Sequence, residues 1–133
     1  MVAPWVAVRY ISVVAKLSGF RMTEQAYLVL LALAGEPRHG YAVIQEVREL
    51  SGGRTRLGAG TLYGNLDRLV AAGLVEATGE EVVDGRLRRY YRATGDGRRA
   101  AQAETLRLAE LADRARRSLA RPGDAPGATG EPA

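Results

Sequence analysis

The chain has 133 residues, a length that suits one domain with a modest hydrophobic core. It contains no cysteine and a single histidine, His39, which excludes disulfide frameworks, cysteine nucleophiles and zinc sites built from cysteine or clustered histidine; no metal or cofactor is expected. The formal net charge of +4 and the pI near 9.8 suit a polyanionic partner, and arginines outnumber aspartates between Asp84 and Arg99.

Residues 1–21 form an apolar, β-branched extension of uncertain structure. A signal peptide is disfavoured because no Lys or Arg precedes the apolar run and Arg9 interrupts it. Arg9 and Lys16 also break any membrane span, which needs about 20 uninterrupted apolar residues. Three interpretations stay open: an added helix or strand, part of a dimer interface, or translated sequence upstream of a start at Met22.

Two helices are predicted next. Thr23 is expected to cap the first, whose run from Ala26 to Ala34 is apolar nearly all round and therefore packed on several sides. The second helix begins near Gly40 or Tyr41 and is helped to start by His39, for which a contact to a DNA backbone is the less favoured role. Its predicted inward residues recur at threes and end before Ser51-Gly-Gly53: Tyr41, Ile44, Val47 and Leu50.

A third helix is predicted within residues 57–74. Its expected buried side is apolar, and Gly73 follows as a stop signal; that side carries Leu62, Leu66, Leu69 and Val70. The opposite side is predicted to carry Thr61, Asn65, Arg68 and Ala72, a small, polar and singly cationic face.

Three short helices with tight connections follow the helix-turn-helix plan, in which the second helix of the pair reads DNA. On that plan Asn65 suits adenine and Arg68 suits guanine or a phosphate. Tyr63 is left between core packing and a phosphate hydrogen bond.

Asp84-Gly85 lies between two strand-like runs and predicts a two-residue hairpin. The register then places Glu81 opposite Arg88 and Glu80 opposite Arg89, and it leaves Arg86 at the tip as the favoured wing contact to DNA. Which hairpin face is buried stays open, with one side predicted to carry Val75, Ala77 and Tyr90 and the other Val82, Leu87 and Tyr91. Tyr41, Tyr90 and Tyr91 are expected to pack in the core.

A long amphipathic helix is predicted from about Gly97 to Leu119 and suits dimerisation, with a proline-rich tail, residues 121–133, expected to be disordered. The dimerisation residues predicted on this helix are Leu108, Leu111, Ala112, Ala115 and Leu119, in line with Ala101. The fold expected is mainly α with a small β-hairpin: a helix-turn-helix and hairpin over 22–95 followed by a dimerisation helix over 96–120.

Short motifs recur in a fixed order from Met22 to Leu119. They are Leu30-Leu-Ala-Leu33, His39-Gly-Tyr41, Gly60-Thr-Leu-Tyr63, Leu66-Asp-Arg-Leu69, Gly73-Leu-Val75 and Arg89-Tyr-Tyr-Arg-Ala-Thr94 with Gly97. On these motifs the sequence resembles the PadR family of bacterial transcriptional regulators, in its short form with one C-terminal helix. It departs from the family at Ala59 and Gly64, where proline is common.

The resemblance implies a cytoplasmic, homodimeric repressor that binds double-stranded DNA at an inverted-repeat operator and is released by a small aromatic or drug-like ligand. Trp5, Tyr10 and Phe20 are candidates to line a ligand pocket if residues 1–21 fold back. The resemblance also implies the winged form of the helix-turn-helix over 22–95. The DNA contacts predicted from the helix face, the hairpin and the start of the second helix are Thr61, Tyr63, Asn65, Arg68, Arg86, Arg88, Arg89 and His39.

Three other functions have less support in the sequence. The glycines Gly58, Gly60 and Gly64 imitate part of a dinucleotide loop, but an antiparallel hairpin follows where that fold needs a parallel strand. With no Walker lysine, nucleophile elbow or paired carboxylates, no catalytic residue is assigned and the protein is not expected to be an enzyme. The alternative that stays open is a winged-helix protein-interaction module that does not bind DNA.

Overall fold

The computed structural model describes residues 20–120, so the predictions for residues 1–19 and for the tail 121–133 lie outside the described residues. The described elements confirm the predicted mainly helical winged-helix plan with a long last helix. In chain order they are α1 (Glu24–Ala34), β1 (Arg38–His39), α2 (Gly40–Leu50), α3 (Ala59–Ala71), β2 (Val75–Val83), β3 (Arg86–Ala93) and α4 (Gly95–Leu119).

Helix α1 forms the centre of the core. The Thr23 hydroxyl caps it by accepting a 3.1 Å hydrogen bond from the Ala26 amide, as the sequence predicts. Its apolar run is buried against the other helices and the sheet, and the side chains of Phe20 and Met22 pack on this core from the N-terminal side. The buried residues of α1 are Ala26, Leu28, Val29, Leu30, Ala32 and Leu33.

Helix α2 begins where expected but is rotated from the predicted phase. The His39 imidazole caps it, with Nδ1 accepting a 3.4 Å hydrogen bond from the Ala42 amide. Val43 and Val47 are fully buried, whereas Tyr41 and Leu50, which were predicted to face inward, are 55% and 45% exposed. The period of three was followed too literally, because a 3.6-residue turn brings Val43 rather than Tyr41 onto the line of Val47.

A three-stranded antiparallel sheet, in the order β1-β3-β2, supports the predicted hairpin. Asp84 and Gly85 both have positive φ, 51° and 77°, as a type I′ turn requires. The predicted pairings of Glu81 with Arg88 and of Glu80 with Arg89 are confirmed. The short strand β1 was not predicted; it pairs Arg38 with Tyr91 and His39 with Tyr90.

A β-bulge decides which hairpin face is buried. The register shifts between Ala77 and Gly79, so Ala77 lies opposite Tyr91 and Val75 opposite Ala93. Val75, Tyr91 and Ala93 are buried together. The expectation that Val75, Ala77 and Tyr90 share one side was wrong, because an unbroken alternation was assumed through the extra residue, Thr78.

Helix α4 begins two residues before the predicted Gly97. The chain forms two compact units, one ending at Ala101 and one starting at Gln102, so the division falls within α4. Within residues 20–120, no helix is both long and apolar enough to cross a lipid bilayer.

Candidate nucleic-acid interface

The exposed face of α3 is centred on small residues. Leu62, Leu66 and Leu69 are buried as predicted, with at most 1% of each side chain accessible. Opposite them, along the solvent side, lie Gly60, Gly64, Asp67 and Ala71. Thr61 and Arg68 flank this line on one side, and Tyr63 and Val70 flank it on the other.

The predicted reading face of α3 was therefore displaced by about a quarter turn. Asn65 is 1% exposed and Ala72 is 4% exposed, so neither lies on the outer face. Val70, predicted to be buried, is 42% exposed. The error arose because Asn65 was grouped with the polar Thr61 and Arg68, whereas the three leucines alone give the correct phase.

Asn65 is a buried polar residue whose side chain stays within its own helix. Its Nδ2 donates a 2.9 Å hydrogen bond to the Thr61 carbonyl, one turn earlier. Its Oδ1 accepts a 3.2 Å hydrogen bond from Nη2 of Arg68, nearly one turn later. Both ends of the amide are thus occupied, which removes Asn65 as a free donor and acceptor for a base edge.

Arg68 keeps its guanidinium at the surface. It is exposed and, apart from the contact to Asn65, forms no ion pair or side-chain hydrogen bond with another described residue. A β-carbon placed on Gly64 would lie 3.8 Å from Nη1 of Arg68, an ordinary van der Waals distance. The glycine at this departure from the family pattern therefore lies beside the cationic group and does not clash with it.

The side chain of Tyr63, a residue of α3, lies against Gly40 at the start of α2. A β-carbon added to Gly40 would come within 2.5 Å of the Tyr63 hydroxyl oxygen and 3.1 Å of its ring, so any larger residue at position 40 would displace the tyrosine side chain. At 45% exposed, Tyr63 is packed on one side and accessible on the other. The phosphate hydrogen bond of the Tyr63 hydroxyl therefore stays a prediction.

The wing arginines differ in how they are held. Arg89 forms an exposed ion pair with Glu80, Nη2 to Oε2 at 3.8 Å, whereas Arg86 is exposed at the tip and has no ion pair within residues 20–120. Arg88 lies opposite Glu81 without forming an ion pair to it, and its Nε is buried with no hydrogen-bond partner among the described residues. Arg86 is the wing cation most available to a phosphate.

His39 and Tyr90 form the base of the wing on the face away from the core. Their ring centroids are 5.3 Å apart in an edge-to-face arrangement. Partial desolvation and then the Glu81 carboxylate raise the pKa of the Tyr90 phenol, against a smaller opposing effect of Arg88. Of the three tyrosines predicted to be core, Tyr91 is buried, Tyr90 is half-buried and Tyr41 is exposed.

Helix α4 carries the predicted dimerisation stripe. Leu108, Leu111 and Leu119 are 37%, 49% and 80% exposed, and Leu106, on the opposite side of the helix, is 63% exposed. Charged pairs within the helix include Glu104 with Arg107, at 2.7 Å between Oε2 and Nη2. In a single chain the leucine stripe is therefore an apolar surface open to water.

Asp67 is the residue at this interface that sequence reasoning missed. It is exposed at the centre of the outer face of α3, between Gly60, Gly64 and Ala71. A helical wheel aligned on Leu62, Leu66 and Leu69 alone would have located it.

Comparison with known proteins places this arrangement in a family. Residues 29–103, more than half of the chain, match the profile of the Transcriptional regulator PadR-like family. Over 65 residues the chain is 49% identical to transcriptional regulator Rv3488 of Mycobacterium tuberculosis, a match that covers 49% of this chain and 60% of that protein. The chain spans between 26% and 65% of the length of the curated relatives it matches.

Solved structures share the fold. A PadR family transcriptional regulator from Eggerthella lenta superimposes with a TM-score of 0.60 at 24% identity, covering 86% of this chain and 93% of that one. Bacillus subtilis PadR, whose structure was determined in complex with operator DNA, gives a TM-score of 0.55 at 17% identity and covers 64% of this chain and 48% of that one. The chain therefore belongs to the PadR-like family of transcriptional regulators, as its motifs predict.

Proposed function

We propose that the protein is a homodimeric, DNA-binding repressor that recognises an inverted-repeat operator in the cytoplasm and is released by a small aromatic or drug-like ligand. The observation that carries the proposal is the outer face of α3, where small residues are bordered by Thr61 and Arg68. Beside it, the wing ends in Arg86, which is exposed and forms no ion pair with another residue of the described range. These features fit a helix that enters a groove and a wing that grips the adjacent backbone.

The first step is the approach of α3 to base edges. A major groove about 12 Å wide admits one α-helix. The helix backbone comes nearest to the base edges where its outward side chains are small. Gly60, Gly64 and Ala71 provide such a surface, because none has a side chain beyond the β-carbon. Arg68 and Thr61 then lie along one side of the bases. The guanidinium of Arg68 can donate to guanine or to a phosphate, and the hydroxyl of Thr61 can donate to an acceptor on either strand.

Asp67 favours bases over backbone as the target of this face. A carboxylate set against the phosphates would be repelled, whereas in the major groove it can accept a hydrogen bond from the exocyclic amine of cytosine. Its exposed position at the centre of the face therefore supports a docking pose in which the centre of α3 looks into the groove and the phosphates lie toward its edges.

The wing supplies the second contact. Arg86 is exposed at the hairpin tip, where a rigid two-residue turn holds it. An unpaired guanidinium gives up no internal ion pair when it binds a phosphate or enters the minor groove. Arg89 would first have to leave Glu80, although at this exposure that ion pair is weak.

The third step is pairing through α4. In the single chain an apolar stripe is exposed on α4, formed by Leu108, Leu111 and Leu119. The same stripe of a second copy would bury it through apolar contacts. A two-fold dimer presents two α3 helices to half-sites one duplex turn apart, ~34–36 Å, which requires an inverted repeat.

Relatives support the same proposal. Bacillus subtilis PadR binds operator DNA with this fold, and the Mycobacterium tuberculosis relative is a transcriptional regulator. The release by ligand rests on the family resemblance alone. Titration of aromatic compounds, followed by the fluorescence of the single tryptophan, Trp5, tests it, and an unchanged signal with unchanged operator affinity would contradict it.

The decisive experiment is a gel-shift titration with a duplex from the protein's own promoter and a scrambled duplex of equal length. The wild type is expected to prefer the promoter duplex and to lose affinity steeply with salt, because arginine–phosphate contacts release counterions. A Thr61→Ala/Arg68→Ala variant should lose the preference while keeping its dimeric elution in size exclusion. No shift at low salt with any duplex would instead favour the protein-interaction module.

A further inference from the structure

Asn65 lies about one helical turn from both Thr61 and Arg68, which border the surface that we propose to read DNA, yet it is buried. We infer that Asn65 is a positioning residue, which holds the Arg68 guanidinium in the direction from which it contacts DNA. This inference rests on the proposed function, because it concerns how Arg68 is oriented before it contacts DNA.

The hydrogen bonds fix the orientation of the Asn65 amide. Nδ2 donates to the Thr61 carbonyl at 2.9 Å, and Oδ1 accepts from Nη2 of Arg68 at 3.2 Å. The reversed amide would set its oxygen against a carbonyl oxygen and its NH2 group against a cation, and neither contact is a hydrogen bond. The acceptor end of Asn65 therefore has to face Arg68.

Packing alone does not account for an asparagine here. Asn65 is 1% exposed and shares its helix with Leu62, Leu66 and Leu69, which form the core. A buried amide is unfavourable unless it is hydrogen-bonded, and a leucine would fill similar space without that requirement. Among the described residues, both hydrogen bonds of the Asn65 side chain stay within α3, so they join it to no other element.

What the asparagine adds is control of Arg68. No ion pair holds that guanidinium within residues 20–120, and Gly64 beside it carries no side chain to restrain it. One of its five N–H donors is engaged by Asn65, which leaves the remaining donors to bind DNA. Because a long side chain loses rotamer freedom on binding, ordering it beforehand raises both affinity and selectivity.

A double-mutant cycle tests this coupling. The variants are Asn65→Leu, Arg68→Ala and the two combined, with Asn65→Thr as the conservative variant, whose hydroxyl can donate to the Thr61 carbonyl and accept from Arg68. The measured quantity is the ratio of affinities for the promoter duplex and the scrambled duplex, and urea denaturation of each variant reports its folding separately. Asn65→Leu is expected to fold at least as stably as the wild type, because both partners left behind retain access to water or to the helix.

The expected result is that Arg68→Ala lowers the affinity ratio roughly 5- to 150-fold, as for loss of one bidentate base contact. Asn65→Leu should lower it roughly 2- to 12-fold in the wild type, the loss from ordering one long side chain on binding, and should change nothing in the Arg68→Ala background. Asn65→Thr should keep most of the wild-type ratio.

Two results would overturn the inference while leaving the proposed function intact. One is an Asn65→Leu variant that discriminates as well as the wild type. The other is a loss of equal size with and without Arg68, which would mean that Asn65 acts through the shape of α3. A wild type that binds no duplex would overturn the proposed function, and this inference with it.

Discussion

The Thr94 hydroxyl donates a 2.7 Å hydrogen bond to the Gly73 carbonyl and accepts a 3.0 Å hydrogen bond from the Gly97 amide. The backbone follows the same path, since the Thr94 amide donates to the Leu74 carbonyl at 3.0 Å. Gly73 lies just after the end of α3, and Gly97 lies in the first turn of α4. One threonine therefore joins the end of the proposed reading helix to the start of the last helix.

Replacing Thr94 with valine should lower the free energy of unfolding by ~1–3 kcal/mol. Valine has nearly the same shape but removes the helix cap and leaves the Gly73 carbonyl without its side-chain donor. Urea denaturation followed by circular dichroism measures the change. Thr94→Ser keeps the hydroxyl and should retain most of the stability; equal losses in the two variants would argue against the hydrogen bonds as the cause.

Two glycines should respond to alanine in opposite directions. A β-carbon on Gly97 would lie 2.0 Å from the Leu74 carbonyl oxygen, a backbone atom that cannot move aside, so Gly97→Ala should destabilise by ~1–3 kcal/mol or more. At Gly64 the nearest atom is the flexible Arg68 Nη1 at 3.8 Å, and Gly64→Ala should stabilise by ~0.5–1 kcal/mol through helix propensity.

Thermal melts of both variants decide the matter. A rise for Gly64→Ala confirms that this glycine is not there for folding, and a simultaneous loss of operator affinity would assign it to close approach of DNA. A neutral Gly97→Ala variant would mean that α4 can shift away from Leu74, contrary to the contacts described.

The local signals in the sequence were sufficient for the element types. Thr23 as a cap, Asp84-Gly85 as a type I′ turn and the register of Glu80 with Arg89 each depend on residues close in the chain. Each is determined by the φ angles and side chains of a few neighbouring residues. These features were predicted correctly.

The features that depend on distant contacts were not predicted. The bulge at Thr78 places Val75 and Ala77 on the side of Tyr91 rather than that of Tyr90. The two-residue strand β1 exists only because β3 is beside it. Asn65 was assigned to the surface by its polarity, although its hydrogen bonds to Thr61 and Arg68 allow it to be buried. A polar residue whose partners lie in its own helix cannot be recognised from the polarity pattern.

The wing tip provides a test through salt dependence. Arg86→Ala should weaken binding to every duplex similarly and reduce the slope of log affinity against log salt by about one, because one phosphate contact is lost. Arg92 is the matched control: it lies on the same strand with the same charge, but its Nε is 2.7 Å from a Glu76 carboxylate oxygen.

Arg92→Ala should reduce the slope less, since that guanidinium would first have to leave Glu76. Fluorescence anisotropy titrations at a series of salt concentrations give both slopes. Equal slopes for the two variants would show that Arg86 has no special role at the wing.

Helix α4 offers the sharpest test of the dimer. Leu111→Glu places a charge in the stripe that also contains Leu108 and Leu119, and it should raise the dimer dissociation constant at least roughly 100-fold, about 2.7 kcal/mol. Leu111 is 49% exposed in the single chain, so the monomer should stay folded. Leu106→Glu makes the same chemical change on the other side of the helix, where Leu106 is 63% exposed.

Sedimentation velocity over a range of protein concentrations separates the two variants. The Leu111→Glu protein should sediment as a monomer and bind single half-sites weakly, because the two α3 helices are no longer linked. The Leu106→Glu protein should remain dimeric and prefer the inverted repeat. If Leu111→Glu stays dimeric, or if both variants dissociate alike, the leucine stripe of Leu108, Leu111 and Leu119 is not the surface through which two copies pair.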